Sequence, residues 1–495
     1  MMIVPLIYTY ISAFGDENFW REGLNSMDNH LLLLLLKSVF IAFAVAFLST
    51  IVGLLLGFIL YRTGGIYVSL LKLLLLIPLF TSPYIQAVAW KDFFFLFGLN
   101  GHWIHSIAGV IFITSLVFVP LSMLIIGSAL NNIHSALEES ALLLIDVPAM
   151  FRKILFPLIK PALLTSFVLV FIFSISEFSV PAFLGVKVFT TEIFTRFSAF
   201  YDHSLAIFHS VFLVLICFAM LFAERKYISD APFLSLGKKG SQIRIYDNAG
   251  FSGFLIWTYV LISVFVPLLV LFYQSFDEGG EYFIEAFHYL LPTFSSSVFL
   301  SLGGAVISVL VGFVAAYFSV RYRYHLLSRI LLVIFTIPTI IYGISLIIFY
   351  NRGFLSFIYS GFGIIWIGYA GKFSFISAKI IANAMKQIPS SLEEAARISG
   401  IGSFSLFTKI ILPVLSPAIV ASFLISFIFN IGELGLTIML YPPGTEIMPI
   451  KVFTIMANAP QGLTSSMTLI VFLVSLLLVL IFFFLLKRFW TRKTI

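Results

Sequence analysis

Stretches of about twenty apolar residues recur along the whole of this 495-residue chain, and that recurrence restricts it to one kind of fold. The run 470–486 (IVFLVSLLLVLIFFFLL) is long enough to cross the hydrocarbon core as a helix. It lacks the alternation that the ~10-residue strands of a membrane β-barrel require. Only 10% of the residues are charged, against roughly 25% in an average soluble chain. A water-facing surface of this length could not be covered, so soluble globular and disordered chains are excluded. What remains is an all-α polytopic membrane protein. A ~19-residue hydropathy window places spans near 38–61, 70–90, 106–130, 160–183, 204–223, 253–273, 297–320, 329–349, 363–385, 415–437 and 466–486.

Lysine and arginine set the expected orientation. The loops holding Arg62, Lys72, Arg152, Lys153, Lys160, Arg225, Lys226, Lys238, Lys239, Arg244, Arg321, Arg323, Arg329, Lys386, Arg397, Lys409, Lys487, Arg488, Arg492 and Lys493 carry twenty basic residues. The opposite loops carry six: Arg21, Lys91, Lys187, Arg196, Arg352 and Lys451. By the positive-inside rule the first set is cytoplasmic, which places the C-terminus there too. The net charge of +7 is therefore a topology signal and not the footprint of a nucleic-acid partner. The single cysteine, Cys217, allows no internal disulfide.

The chain is written twice. Ser38-Val39-Phe40, Val52-Gly53 and Arg62 recur as Ser297-Val298-Phe299, Val311-Gly312 and Arg321, and Ile77-Pro78 reads as the counterpart of Ile337-Pro338. ILFPLIKPALLTSF (154–167) recurs as IILPVLSPAIVASF (410–423), with Glu177 then answering Glu433. Residues 1–14 resemble 267–276, the outer half of the first span of the second copy. They read as the outer part of a first helix whose inner part is missing, either because the start lies upstream or because the helix is short. Six helices per copy keep both in the same orientation, a parallel repeat about an axis along the membrane normal. The expected division is a first transmembrane domain at 1–223, a polar cytoplasmic linker at 224–250 and a second transmembrane domain at 251–495.

Between the fourth and fifth helices of each copy lies a long polar loop. In copy two, Ser390 with Glu393 and Ser391 with Glu394 have capping-box spacing, and Ala395-Ala396 favours helix. Gly400 and Gly402 release the chain, and Pro413 sits where the next helix begins. Glu394-Ala395-Ala396, Gly400 and Ile410-x-Leu412-Pro413 resemble the EAA loop of ABC importer permeases of the type I fold. In copy one, Ser135-Ala136-Leu137-Glu138-Glu139-Ser140-Ala141 fits less closely: one residue is lost within the loop, Ile145 or Leu144 stands at the glycine position, and Pro148 offers a turn instead. The resemblance implies that two separate ATP-binding cassette subunits dock on these loops, Glu394 and less securely Glu139 making polar contact, so that the two docking sites are unequal. It also implies an extracytoplasmic solute-binding protein, an inner-membrane location, and no cofactor held by this chain, with ATP used by the partner. The segments 185–202 and 440–460, both containing Thr-Glu-Ile, are similar to those of fused permeases for ferric iron, thiamine and aminophosphonates, and ferric iron is the favoured solute.

Ser174 with Glu177, and Asn430 with Glu433, are spaced i, i+3 on one helix face. Acids within a span are costly and point into the bundle or a water-filled path. They are candidates to line the translocation path or to act as glue between helices. Lys372, near the middle of its span, needs a partner, and Glu433 is a candidate. Lys379 lies one heptad on and reads as snorkelling to the inner surface. His102 and His105 have ligand spacing without a third ligand, so no metal site is expected. The chain has no G-x-x-x-x-G-K-[ST] phosphate loop and no catalytic grouping, so it is read as a permease and not an enzyme. The rival is an ion-gradient-driven carrier with 6+6 helices. Its Gly-x-x-x-Asp-Arg loop after the second helix is not the Arg62-Thr63-Gly64-Gly65 found after the first full span here.

Overall fold

The computed structural model describes residues 1–62, 68–228, 251–277, 279–388, 391, 394, 398–400, 402–442 and 444–491. Among them the regular structure is helical throughout. Nine of these helices are long and apolar enough to cross a membrane, and the bent pair Leu326–Thr336 and Thr339–Tyr350 has the combined length and apolarity of one more, as a broken span or a re-entrant loop. The chain is a polytopic all-α membrane protein. Residues 224–228, expected to open the linker, continue the helix His203–Ile228, and 229–250 lie outside the described residues.

Each copy is built on three helices packed side by side. They are Asn29–Arg62, Ile107–Asn131 and Phe156–Ser176 in the first, and Glu281–Arg321, Gly363–Met385 and Leu412–Gly432 in the second. Helices in lipid gain no hydrophobic drive from one another, so close backbone approach must hold them. The repeated Val-Gly dipeptides supply that approach. A Cβ on Gly53 would stand 2.5 Å from Ser122 Cβ, and one on Gly312 2.6 Å from Ser377 Cβ. The repeated serines are equally specific. Ser38 Oγ accepts from the Phe189 backbone N–H at 2.8 Å, and Ser297 Oγ from that of Met448 at 2.9 Å. Each hydroxyl thereby satisfies a donor at the start of a short helix, Phe189–Ser198 or Met448–Ile455, that has no intrahelical partner.

Two expected spans are not straight. Span 70–90 is Val68–Phe80 followed by Pro83–Leu96, and span 329–349 is Leu326–Thr336 followed by Thr339–Tyr350, bent by 108°. Breaks fall at 81–82 and 337–338, so Pro78 is not the counterpart of Pro338. Pro78 lies inside its helix, whereas Pro338 stands in the break with extended ψ of 141°. The spans drawn at 160–183 and 415–437 stop at Ser176 and Gly432, because Glu177 and Glu433 turn extended (ψ 121° and 115°). Both begin with a π-helical turn at equivalent places, Phe151–Leu155 and Phe407–Ile411.

The copies interlock through their first helices. Val4–Phe14 packs on Thr339–Tyr350 and His203–Ile228, and Val266–Phe276 packs on Pro83–Leu96 and Gln461–Thr491. The stub thus occupies in copy one the place its sequence match suggests. Tyr342 and Tyr350 donate to the carbonyls of Met2 and Met1, and Arg352 lies 3.6 Å over the Tyr8 ring. Irregular backbone is satisfied across the same boundary. Pro120 has no N–H for the Leu116 carbonyl four residues earlier, and Tyr259 Oη donates to that oxygen at 2.7 Å. Gln86 Nε2 donates to Ser263 O, in the π turn Leu261–Phe265, at 2.9 Å.

Candidate functional site

Two regions gather the candidate residues: one face of the bundle, where the polar loops lie, and a cavity between the copies.

At the first region, copy one forms a helix Ser135–Leu142 that buries Glu138 and Ala141 and presents Glu139 outward. Ala141 packs with Met150 and Leu155, fixing the helix to the root of the next span. Leu143 and Leu144 follow, 86% and 87% exposed. In copy two Glu394 is also exposed, as are Ile398 and Phe404, while Pro389, Ser390, Leu392, Glu393, Ala395, Ala396 and Arg397 lie outside the described residues. Gly400 takes φ +75°, the left-handed turn that favours glycine. Copy one makes its turn otherwise. Leu144 and Ile145 N–H both bond Ala141 O, and Asp146 Oδ1 accepts from Ala149 N at 3.2 Å, capping a short helix with Pro148 in its first turn. Asp146 went unread in the sequence, although Asp two residues before Pro is a helix-start signal. Pro413 stands in the first turn of Leu412–Gly432. Among the described residues the two loops therefore present Glu139 and Glu394 beside exposed apolar side chains, on differently built turns.

The second region is a cavity of about 60 Å³ lined by Ser82, Ser176, Glu177, Thr339, Lys372 and Glu433, among others. Every broken or interrupted helix of the two cores contributes. Glu177, one residue beyond its helix, accepts from Ser179 N at 2.8 Å, from Val180 N at 3.2 Å and from Ser179 Oγ, all through Oε1. Glu433 Oε1 accepts from Leu436 N at 2.9 Å. Each acid caps the turn that follows its helix through Oε1, which holds the carboxylate in place at the cavity wall. Ser82 Oγ donates to Gly432 O at 2.6 Å, joining the break in copy one to the helix end in copy two.

Lys372 is 3% exposed, and its partner is not a carboxylate. Nζ donates to Phe335 O at 2.8 Å and Ile337 O at 2.6 Å, carbonyls freed where Leu326–Thr336 stops. A cation at a helix C-terminus is favourable, because the last carbonyls have no N–H ahead of them. Lys372 and Glu433 face one cavity without direct contact. Lys379 lies partly buried, its ammonium 5.7 Å from the Phe375 ring centre.

Ser174 and Asn430 do not line this cavity, because the acids beside them have left the helix. Ser174 faces a separate void of about 10 Å³ that Glu177 also borders, and Asn430 Nδ2 donates to Ser301 O within copy two. The two Thr-Glu-Ile segments are not equivalent either. Thr191 lies inside its helix, whereas Thr445 precedes Ile447, the residue before Met448–Ile455. His105 Nδ1 is engaged by Leu184 O at 2.8 Å, and no group of three metal-binding side chains occurs among the described residues.

Sequence reading missed the aromatic rings around the cavity. Phe173 and Phe429, each four residues before its acid, lie 6.2 Å apart and nearly parallel. Phe373 stacks on Phe429 at 5.5 Å, and Phe335 meets Phe173 edge-on at 5.2 Å. Beyond the acids, Phe178 sits between Phe194 and Phe453, at 4.9 and 6.3 Å. The signal was available: Phe173 and Phe429 share the same offset as Glu177 and Glu433.

The chain matches the family described as binding-protein-dependent transport system inner membrane component twice, over residues 49–228 and 308–493. A Fe(3+)-transport system permease protein of Haemophilus influenzae is 24% identical over 438 residues, covering 86% of this chain and 84% of that protein. A ferric transport system permease protein of Actinobacillus pleuropneumoniae is 23% identical over 525 residues, covering 97% and 75%. A putative 2-aminoethylphosphonate transport system permease protein of Salmonella paratyphi A is 23% identical over 238 residues, covering 44% of this chain and 88% of that protein.

Proposed function

This chain belongs to the family of binding-protein-dependent transport system inner membrane components, and from that premise we propose that it is the fused permease subunit of an ATP-driven importer of ferric iron. The observation that carries the reading is the twofold family match, one per copy, with an exposed glutamate among the described residues of each polar loop. In this reading the chain divides into a first transmembrane domain at 1–223, a linker at 224–250 and a second transmembrane domain at 251–495. One polypeptide supplies both halves of the path, and two ATPase subunits dock on the face carrying Glu139 and Glu394. Glu138 and Ala141 anchor the first docking helix, Gly400 and Pro413 frame the second loop, and Glu393, Ala395 and Ala396 belong to that loop by the sequence resemblance alone. That face is cytoplasmic on the lysine and arginine count, and a solute-binding protein delivers cargo to the other. ATP is bound and hydrolysed by the partners, and the chain itself holds no cofactor.

The central cavity is the segment of the path seen closed. Rings of Phe173, Phe373 and Phe178 border it, and about 60 Å³ holds an ion or a few waters. Its two carboxylates and the serine and threonine hydroxyls around them are hard oxygen donors, which suit a hard cation. An anionic phosphonate would find one ammonium there, already committed to carbonyls. In this reading Glu177 and Glu433 meet the cargo directly, Lys372 lies beside it, and Ser174 and Asn430 hold the helices that present the acids. ATP binding draws the loop helices together, and the copies rock as two bodies with distinct contacts in two states.

Reconstitution tests it. Proteoliposomes containing the chain, its ATPase and the binding protein should take up ferric iron only when ATP and the binding protein are both present. Uptake driven by an ion gradient without ATP would replace this reading with the carrier. ATP-dependent uptake of an aminophosphonate instead of iron would retain the importer and change the cargo.

A further inference from the structure

The two helix breaks face the same cavity yet are satisfied differently. In copy one, Thr81 closes the break locally, its N–H bonding Ile77 O at 3.1 Å and its Oγ1 donating to Pro78 O at 3.1 Å. The helix facing that break carries a valine where copy two carries its lysine. Gly53 and Gly312 meet Ser122 and Ser377 alike, which aligns Val117, buried and apolar, with Lys372. A cation is therefore not needed to make a break at this place in the fold.

Lys372 sits instead in a cation's surroundings. Two backbone carbonyls hold its ammonium at 2.6 and 2.8 Å. The carboxylates of Glu433 and Glu177 line the same cavity, as does Ser176, whose hydroxyl is buried without a hydrogen-bond partner. Carbonyls at a helix C-terminus, carboxylates and an unengaged hydroxyl are the donors that a desolvated metal ion takes. Resting on the reading of this cavity as the cargo path, we infer that Lys372 is a tethered stand-in for the cargo. Its ammonium occupies a cation site in the closed cavity, balances one of the two acids, and keeps free cations out until the path opens.

Binding of terbium(III), a hard trivalent probe without redox chemistry, tests this on the purified full chain in detergent. Wild type should bind it weakly in the cavity. Lys372→Met should bind one ion per chain at least tenfold more tightly, Lys372→Arg should behave as wild type, and adding Glu433→Gln and Glu177→Gln to Lys372→Met should abolish the gain. Equal affinity in wild type and Lys372→Met overturns the inference, as does a gain that survives removal of both acids. Should Lys372→Met fail to purify as a monodisperse protein, Lys372→Gln, one atom shorter and uncharged but still an N–H donor, carries the same comparison. Terbium binding needs neither ATP nor a partner. A reconstituted wild-type complex that moves no iron defeats the assigned cargo, while the terbium comparison separately decides the role of Lys372.

Discussion

The hydroxyls of Ser38 and Ser297 allow a prediction whose size follows from geometry. Each donates to the carbonyl four residues earlier, Leu34 at 2.9 Å and Thr293 at 2.8 Å, and accepts a backbone N–H from a short helix 151 residues away. Alanine removes the acceptor and strands a buried donor, which costs about 1–3 kcal/mol. This exceeds the ~0.6 kcal/mol coupling averaged for side-chain hydrogen bonds between membrane helices, because alanine removes one partner and leaves the other buried and unpaired. Ser38→Ala and Ser297→Ala should each shift the unfolding equilibrium by roughly 5- to 150-fold. The sites share no partner, so the double variant should add the two within ~0.5 kcal/mol. Equilibrium unfolding by SDS in mixed micelles measures this, with the exposed Ser360→Ala as a control near zero. The freed helices carry Phe194 and Phe453 against Phe178, so the same variants should loosen the ring cluster beside the cavity. A loss under ~0.5 kcal/mol in both single variants would refute the assignment of those N–H groups to the serines.

Gly53→Ala and Gly312→Ala force a Cβ into contacts of 2.5 and 2.6 Å with serine Cβ atoms, so each should cost about 1–3 kcal/mol and lower the yield of monodisperse protein on size exclusion. Glu139→Ala and Glu394→Ala, both exposed, should leave unfolding within ~0.5 kcal/mol of wild type yet reduce ATPase binding, Glu394→Ala more than Glu139→Ala; equal losses in a pull-down would show that the different turns do not matter. Asp92 is fully buried, accepts from Gln461 Nε2 at 2.5 Å and from Ser465 Oγ, and lies 3.6 Å from Lys91, so Asp92→Asn turns an acceptor into a donor facing donors. It should cost about 1–3 kcal/mol in the same SDS titration, and an unchanged midpoint would show that the bridge between copies contributes nothing.

Features that repeat were legible in the sequence, because the same contact was written down twice. The Val-Gly pair, the serine before it and the acid at the end of the fifth helix each proved to be a matched position with matched neighbours. Breaks in helices were not legible. A hydropathy window averages across an interruption of two residues, and Pro78 drew attention to a place where the helix continues. The break belongs to Ser82, extended at ψ 140°, with Pro83 in the first turn of the next helix. The i, i+3 argument for Ser174 with Glu177 assumed a helix continuing through the acid; the carboxylate instead ends the helix by capping the next turn, so the two still border one small void while only Glu177 reaches the larger cavity. The rings at Phe173 and Phe429 were hidden among 58 phenylalanines, where only the shared offset distinguishes them.

Lys372 and Asp92 have no counterpart, and that is why repeat logic could not find their partners. Lys372 aligns with Val117, and with the two breaks superposed Asp92 aligns with Ile348, both apolar. Two identical half-permeases would place like charges opposite one another at every point on their common axis, and a closed cavity of two acids would be left to balance itself. Fusion into one chain removes that constraint, since each copy can change alone. Here the first copy supplies an acid with no cation, the second an acid and a cation, and the cavity between them closes with an ammonium already seated on the carbonyls. In the proposed reading, an unequal pair of this kind lets the closed path exclude small ions while the open one admits a strongly charged cargo.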